Sequence, residues 1–157
     1  MIKLFALDVD GTLTDGGVYM DGKGGEFKRF DIQDGYGIVT LLNMGIKVVF
    51  ISGRFSAATA QRAEDLKITL CVQGSKNKLK DLTEIAAKFN IRQKETAYAG
   101  DDIPDIECIA WSSLGMATAN ARNEVKAAAD WLSPSDGGHG AIRDCAEHII
   151  MINGDSE

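Results

Sequence analysis

Short apolar runs alternate with segments of helical periodicity along most of the chain, and this alternation limits the possible folds more than any other feature. Each apolar run has the length of a buried strand, and parallel strands need a helical crossover between them. The pattern predicts six strands, at Ile2–Leu7, Lys47–Ile51, Thr69–Val72, Thr96–Ala99, Ser113–Ala117 and Asp130–Leu132. It also predicts six helices, at about Tyr36–Met44, Ser56–Leu66, Lys78–Phe89, Pro104–Ala110, Asn120–Ala129 and Ala141–Ile150. We therefore expect an α/β fold with a doubly wound, mainly parallel sheet.

One segment interrupts the alternation after the first strand. Gly16–Phe30 reads GGVYMDGKGGEFKRF, with two β-prone runs around a glycine-rich turn, and this pattern predicts a projecting β-hairpin. No repeat or proline-rich linker divides the remainder, so we expect residues 1–157 to form a single domain. The polar residues Asn153–Glu157 are expected to be frayed.

Net charge, the first residues and the cysteines argue against a protein that binds nucleic acid, binds a membrane or is exported. The 17 basic and 23 acidic residues give a net charge of −6, which disfavours binding to nucleic acid or to an acidic membrane surface. The apolar start MIKLFALDVDG is too short for a signal peptide or a membrane span. Cys71, Cys108 and Cys145 form no CxxC pair and are interpreted as free thiols of a reducing compartment, so we expect a cytoplasmic protein.

Polar side chains follow the predicted strands at the points where the strands end. The first strand runs into Asp8 and Asp10, the second into Ser52, and the fourth into Asp101, while Lys78 opens the helix after the third strand. Ligands of doubly wound sheets bind beyond the carboxyl ends of the strands. We therefore expect these side chains to converge at one edge of the sheet.

Such a carboxylate cluster is costly unless a cation holds it, and oxygen ligands favour Mg²⁺. A carboxylate beside that ion and beside Lys78 is suited to attack phosphorus, which makes Asp8 the predicted nucleophile. Asp10, two residues further on, is the predicted general acid and base. Ser52 and Lys78 are predicted to hold the phosphoryl oxygens.

The same residues resemble the four motifs of the haloacid dehalogenase superfamily of phosphatases. The matching segments are DVDGTLTD at 8–15, SGR at 52–54, Lys78, and GDDIPD at 100–105. The resemblance implies the roles given above for Asp8, Asp10, Ser52 and Lys78. It further implies that Mg²⁺ is held by the Asp8 carboxylate, the Asp10 carbonyl and Asp101. Asp102 and Asp105 are then expected to orient Lys78 and the metal site.

Neither space in which larger members of that superfamily insert a cap domain is long enough to hold one here. KRFDIQDGYGI at 28–38, QGSKNK at 73–78 and GGHGAIRD at 137–144 are similar to the capless branch of 3-deoxy-D-manno-octulosonate 8-phosphate phosphatases. That resemblance implies a small phosphorylated sugar acid as substrate and a role in lipopolysaccharide precursor synthesis. It also implies a homotetramer in which the hairpin Gly16–Phe30 covers a neighbouring active site. Val18, Met20 and Phe27 would be poorly buried on an isolated hairpin, which favours such packing.

Among the predicted substrate contacts, Arg54 and His139 bear on which sugar acid is bound. Gly53, Arg54 and His139 are the predicted substrate contacts. His139 stands where the octulosonate enzymes commonly have Arg or Lys, whereas Arg54 stands where a phosphatase for a nine-carbon keto-sugar acid typically has Glu. The eight-carbon acid is preferred. A nine-carbon substrate, a receiver-type phosphoacceptor module, and a non-catalytic domain like those fused to acylneuraminate cytidylyltransferases stay open as alternatives.

Overall fold

A six-stranded parallel sheet forms the centre of the computed structural model, which describes residues 1–155. Its strands are β1 (Leu4–Leu7), β4 (Lys47–Ile51), β5 (Leu70–Val72), β6 (Thr96–Gly100), β7 (Leu114–Ala117) and β8 (Trp131–Leu132). They are ordered β5-β4-β1-β6-β7-β8, with β1 between β4 and β6. The predicted α/β fold is confirmed, and each strand lies within about two residues of its expected bounds.

Helices cover both faces of this sheet. They are α1 (Ile32–Asn43), α2 (Ala57–Asp65), α3 (Lys78–Lys88), α4 (Ile106–Trp111), α5 (Asn123–Ala128) and α6 (Ala141–Gly154). Successive strand residues point to opposite faces, so Val48 and Phe50 of β4 pack with α1, α2 and α6. Val49 and Ile51 pack with α3, α4 and α5 on the other face. The site-bearing strand β1 is fully enclosed between these two layers.

The start of α1 differs from its prediction by four residues. The helix begins at Ile32, because the Asp31 carboxylate caps it by accepting a hydrogen bond from the N–H of Gln33 at 2.8 Å. Two glycines in the first turns weaken the helical pattern in the sequence. One of them, Gly37, is needed for close packing, since a Cβ there would lie 3.0 Å from Cα of Arg143 in α6.

The prediction of a frayed C-terminal segment is wrong for Asn153 and Gly154, which belong to α6. The Asn153 side chain accepts a hydrogen bond from the N–H of Ile2 at 2.6 Å and donates one to its carbonyl at 3.0 Å. These two bonds tie the last helix to the segment before β1. Ser156 and Glu157 lie outside the described residues.

The predicted hairpin is present between β1 and α1. It consists of β2 (Tyr19–Met20) and β3 (Glu26–Phe27), which pair antiparallel. Met20 is 77% exposed and Phe27 67%, as expected for an isolated protrusion, whereas Val18 is half-buried. In the described part of the chain, the longest helix has 14 residues, whereas crossing a bilayer takes about 20 apolar ones.

Candidate active site

The carboxyl ends of β1, β4 and β6 lie side by side and carry most of the predicted site. Leu7 of β1 is level with Phe50 of β4 and Ala99 of β6, so the residues that follow these strands emerge together. Several of them border a cavity of about 530 Å³, whose lining by the described residues includes neither Ser52 nor Asp101. Seven predicted site residues line it: Asp8, Asp10, Gly53, Arg54, Lys78, Asp102 and Asp105.

At one wall of the cavity, Lys78 lies between two carboxylates. Its Nζ is 2.6 Å from Oδ1 of Asp8 and 2.8 Å from Oδ1 of Asp105. Burial, and then the Asp105 charge, raise the pKa of Asp8 well above its ordinary value, although Lys78 opposes this shift. Burial lowers the pKa of Lys78, but the two carboxylates outweigh it and raise that pKa. Lys78 is therefore a permanent cation beside Asp8.

Asp105 is held by donors on both carboxylate oxygens. Besides Lys78, Oδ1 accepts the hydroxyl of the fully buried Tyr98 at 2.8 Å. Oδ2 accepts the backbone N–H groups of Asp101 at 3.1 Å and Asp102 at 3.2 Å. A carboxylate bound in this way is fixed in orientation. This geometry suits the predicted part of Asp105 in orienting Lys78.

Three carboxylates lie close enough together to hold a cation. Asp8, Asp101 and Asp105 each offer one oxygen, and these oxygens lie within 4.8 Å of one another. Burial, together with the Asp105 charge, raises the pKa of Asp101 to about 6, although a 2.8 Å hydrogen bond from the Thr12 hydroxyl lowers it. Because Asp105 already has donors on both oxygens, Asp8 and Asp101 have the greater capacity for a metal. Oxygen donors with repelling charges suit a hard divalent ion such as Mg²⁺.

Asp10 occupies a different environment from Asp8. Its Oδ1 lies 2.6 Å from Nζ of the hairpin residue Lys28, whose side chain is completely buried. The same ammonium lies 3.5 Å from Oε1 of Glu26 and 3.4 Å from Oγ1 of Thr59 in α2. The two carboxylates of the DxD motif thus have separate lysine partners.

The loop after β4 places Ser52 and Arg54 differently. Ser52 is buried, and its hydroxyl donates to the Arg54 carbonyl at 3.0 Å; it does not line the cavity formed by the described residues. Arg54 is exposed and donates to Oε2 of Glu26 in the hairpin at 2.8 Å. The predicted substrate contact Arg54 is therefore paired with a carboxylate of its own chain.

The loop before α6 packs on the loop that follows Asp8. A Cβ on Gly137 would lie 1.9 Å from the Gly11 carbonyl, and a Cβ on Gly11, whose φ is +89°, would lie 2.2 Å from Oδ2 of Asp101. Side chains at either glycine would displace the site. His139, in the same loop, is exposed, and its N–H donates to the Asp136 carbonyl at 3.0 Å. Within residues 1–155, His139 is not part of the cavity wall.

Three residues that contact the site escaped the sequence analysis: Thr12, Lys28 and Tyr98. Thr12 lies inside the DxDGT motif, and a hydroxyl beside a carboxylate cluster is a usable signal. In the sequence, Tyr98 is typical of a buried strand and gives no sign of a contact with the site. Lys28 is one of several basic residues around the hairpin, and only the folded hairpin brings it to Asp10.

Comparison with known proteins extends these observations to the whole chain. Residues 71–143 match the haloacid dehalogenase-like hydrolase family. The 3-deoxy-D-manno-octulosonate 8-phosphate phosphatase of Escherichia coli K12 is 37% identical over 153 residues, which are 98% of this chain and 81% of that protein.

Solved structures agree with this similarity. The phosphatase of the same name from Moraxella catarrhalis, in complex with magnesium, phosphate and a KDO molecule, has a TM-score of 0.93 and 38% identity, covering 96% of this chain and 86% of its own. The cobalt-bound Haemophilus influenzae phosphatase has a TM-score of 0.94 and 35% identity, covering 98% and 90%. The chain belongs to the 3-deoxy-D-manno-octulosonate 8-phosphate phosphatase family of the haloacid dehalogenase-like hydrolases.

Proposed function

We propose that this protein is a Mg²⁺-dependent phosphatase that hydrolyses 3-deoxy-D-manno-octulosonate 8-phosphate through an aspartyl-phosphate on Asp8. The observation that carries the proposal is the buried arrangement of Asp8, Lys78 and Asp105 at the carboxyl end of the sheet. A carboxylate beside a permanent cation and an acidic metal site is suited to accept a phosphoryl group.

The residues divide the chemistry between them. Asp8 attacks phosphorus, and Lys78 stabilises the charge that develops on the phosphoryl oxygens. Asp10 gives a proton to the leaving alcohol and later takes one from the hydrolytic water. Ser52 shares the binding of the phosphoryl oxygens with Lys78, and Asp105 keeps Lys78 in place. The Asp8 carboxylate, the Asp10 carbonyl and Asp101 hold Mg²⁺. When bound, Mg²⁺ neutralises the repulsion among the carboxylates and the phosphate and acts as a Lewis acid.

The substrate assignment rests on the relatives. The Moraxella catarrhalis structure carries the eight-carbon acid itself, together with magnesium and phosphate. Arg54 favours this acid over the nine-carbon analogue, and the step belongs to lipopolysaccharide precursor synthesis. Gly53, Arg54 and His139 are proposed to contact the sugar acid. For Arg54 this requires release from Glu26, its present partner.

A homotetramer is part of the proposal. The hairpin exposes Tyr19, Met20 and Phe27 at 60%, 77% and 67%, and such a group of apolar side chains favours packing against another copy. A hairpin from a neighbouring subunit then covers the open cavity and limits access of water. Sedimentation should give a species of four chains, and a monomer at assay concentration contradicts this part of the proposal.

The cytoplasm is the proposed location. Cys71, Cys108 and Cys145 are all unpaired thiols, as is usual in a reducing compartment.

A panel of phosphorylated sugar acids, assayed for released phosphate with and without Mg²⁺, tests the activity. We expect the eight-carbon acid to have the highest kcat/KM and chelation to abolish turnover. Preference for the nine-carbon acid would overturn the substrate. Absence of hydrolysis throughout would favour the non-catalytic domain, and an aspartyl-phosphate that persists for minutes would favour a receiver-type module.

A further inference from the structure

Lys28 is placed to control the acid–base residue of the proposed reaction. We propose that Lys28 is a positioning residue that holds the Asp10 side chain in the orientation from which its carboxyl group protonates the leaving alcohol. Its Nζ lies 2.6 Å from Oδ1 of Asp10. The inference rests on the phosphatase function proposed above and deepens it.

The burial of Lys28 makes this contact obligatory. Its side chain is 0% exposed, whereas that of Asp10 is 19% exposed. An ammonium without water is tolerated only where anions and hydrogen-bond acceptors replace its hydration. Asp10 supplies the shortest contact, and Glu26 and Thr59 lie farther away, at 3.5 and 3.4 Å. Lys28 and Asp10 therefore fix each other.

The contact also joins three elements at one point. Lys28 follows β3 of the hairpin, Thr59 lies in α2, and Asp10 lies in the loop after β1. Asp8 has its own cation in Lys78, so the orientation of Asp10 is set independently of the nucleophile. The hydrogen bond from Lys28 engages Oδ1, while Asp10 still borders the cavity. Within residues 1–155, the contact with Lys28 thus engages one carboxylate oxygen of a side chain that also reaches the cavity.

The contact between Lys28 and Asp10 assists the proton transfers that accompany cleavage of the phosphate ester and hydrolysis of the aspartyl-phosphate. An Asp8 oxygen forms a bond to phosphorus as the bond from phosphorus to the bridging ester oxygen breaks, and the electron pair stays on that oxygen. The bridging oxygen takes the carboxyl proton of Asp10, which becomes a carboxylate facing the Lys28 ammonium. Water then attacks the phosphorus and gives a proton back to Asp10, and the bond from phosphorus to Asp8 breaks. Through its contact with Oδ1, Lys28 thus keeps the Asp10 carboxyl group in place during both proton transfers.

A different role for Lys28 would be to anchor the hairpin without influencing the chemistry. The two roles differ in their dependence on the leaving group. A sugar alcohol needs a proton as it departs, whereas p-nitrophenolate is stable without one. Since kcat/KM covers the steps up to cleavage of the ester bond, it reports leaving-group protonation separately from hydrolysis of the aspartyl-phosphate.

The test compares Lys28→Met with the wild type on 3-deoxy-D-manno-octulosonate 8-phosphate and on p-nitrophenyl phosphate, with Mg²⁺ present. Methionine keeps the apolar stem and removes the charge. We expect kcat/KM for the sugar phosphate to fall about 100-fold and that for p-nitrophenyl phosphate to fall less than about fivefold. Equal losses on both substrates, or no loss on either, would overturn the role of Lys28.

Two further variants make the result specific. Arg29→Met removes the neighbouring cation of the hairpin, which binds Gly138 and Asp31 rather than Asp10, and it should leave the ratio of the two kcat/KM values unchanged. In an Asp10→Asn background, Lys28→Met should cause no further loss on the sugar phosphate, because residues that act as one unit are not additive. If Lys28→Met lowers kcat/KM for the sugar phosphate about 100-fold in that background as well, the result contradicts the proposal.

The double variant also removes both charges together, so it leaves no lone buried ion and guards against misfolding of Lys28→Met. Wild-type turnover in the same assays tests the proposed function by itself. If the wild type releases no phosphate, that function fails. If the wild type releases phosphate but Lys28→Met leaves the ratio of the two kcat/KM values unchanged, only the inference about Lys28 fails.

Discussion

The carboxyl edge of the sheet and the hairpin hold residues of the same cavity by different means: the sheet carries Asp8, whereas the hairpin contacts Asp10 and Arg54. At the sheet edge, Asp8 and Lys78 are each only 8% exposed and Asp105 1%, and the surrounding strands are buried on both faces. The hairpin pairs only two residues on each strand and exposes most of its large side chains. The comparison indicates that the sheet itself fixes Asp8, the proposed nucleophile, whereas Asp10, the proposed acid–base residue, depends on a segment with little core of its own.

The largest expected difference between the two regions is in activity. Asp8→Asn should lower kcat at least about 10⁴-fold, because the amide cannot form an acyl-phosphate. Its melting temperature should be maintained, since burial already disfavours the charged form of Asp8. The matched control is Asp21→Asn in the hairpin turn, where the carboxylate only accepts the N–H groups of Lys23 and Gly25. Asp21→Asn should leave phosphate release unchanged. Loss of phosphate release in this variant would contradict the functional difference between the sheet edge and the hairpin turn.

A second contrast concerns stability. Phe50→Ala removes a completely buried ring from β4 and should cost about 3–5 kcal/mol in the free energy of unfolding. Phe27→Ala, in the exposed hairpin, should change it by less than about 0.5 kcal/mol in a dissociated chain. Urea unfolding at low protein concentration measures both. A large cost for Phe27→Ala under these conditions would show that the hairpin has a core within the single chain.

A third contrast uses tyrosine. Tyr98→Phe removes a buried hydroxyl whose partner is Asp105, and hydrogen bonds to charged groups contribute about 1.5–3 kcal/mol. We expect a loss near the lower value, because Asp105 keeps three other donors. Tyr19→Phe in the hairpin should have no measurable effect. Thermal unfolding of the two variants should therefore differ, and equal melting temperatures would show that the Tyr98 hydroxyl adds nothing to the site.

The smallest effect is expected from pH. In the metal-free site the pKa of Asp101 is about 6, raised first by burial, so protons compete with Mg²⁺ below that pH. Affinity measured by calorimetry should fall about tenfold for each pH unit below 6. Thr12→Val removes a hydrogen bond that lowers this pKa and should move the fall to higher pH. An affinity independent of pH between 5 and 7 would contradict the assignment of Asp101.

The same shift bears on the fold in the absence of metal. The folded pKa of Asp101 lies above its ordinary value of 3.8, so the folded state holds an extra proton between about pH 4 and 6. The contribution of Asp101 to stability is therefore present below pH 4 and declines as the pH rises to 6. Glu26 of the hairpin shifts oppositely: burial raises its pKa, but Ser56, Arg54 and Lys28 together lower it. Its contribution is lost as the pH falls.

Local patterns were sufficient to predict most of the sheet and the residues at its carboxyl edge. Strand β4 begins and ends as expected, because a short apolar run bounded by turn residues is typical of a buried strand. The start of α1 was missed because the Asp31 cap precedes a glycine-containing turn. Asn153 was misjudged because its partner, Ile2, lies 151 residues away. Contacts of Lys28 and Tyr98 with the site likewise depend on tertiary structure, which periodicity does not encode.

The tie between Asn153 and Ile2 has a consequence for the order in which the protein is made. On the ribosome, β1 emerges before α6. Helix α6 packs against α1 and completes that face of the sheet only after residue 153 has left the exit tunnel. Until then Ile38 and Leu41 of α1 lack part of their apolar cover. A nascent chain in this state presents an apolar surface that is open to aggregation or to chaperones until α6 is in place.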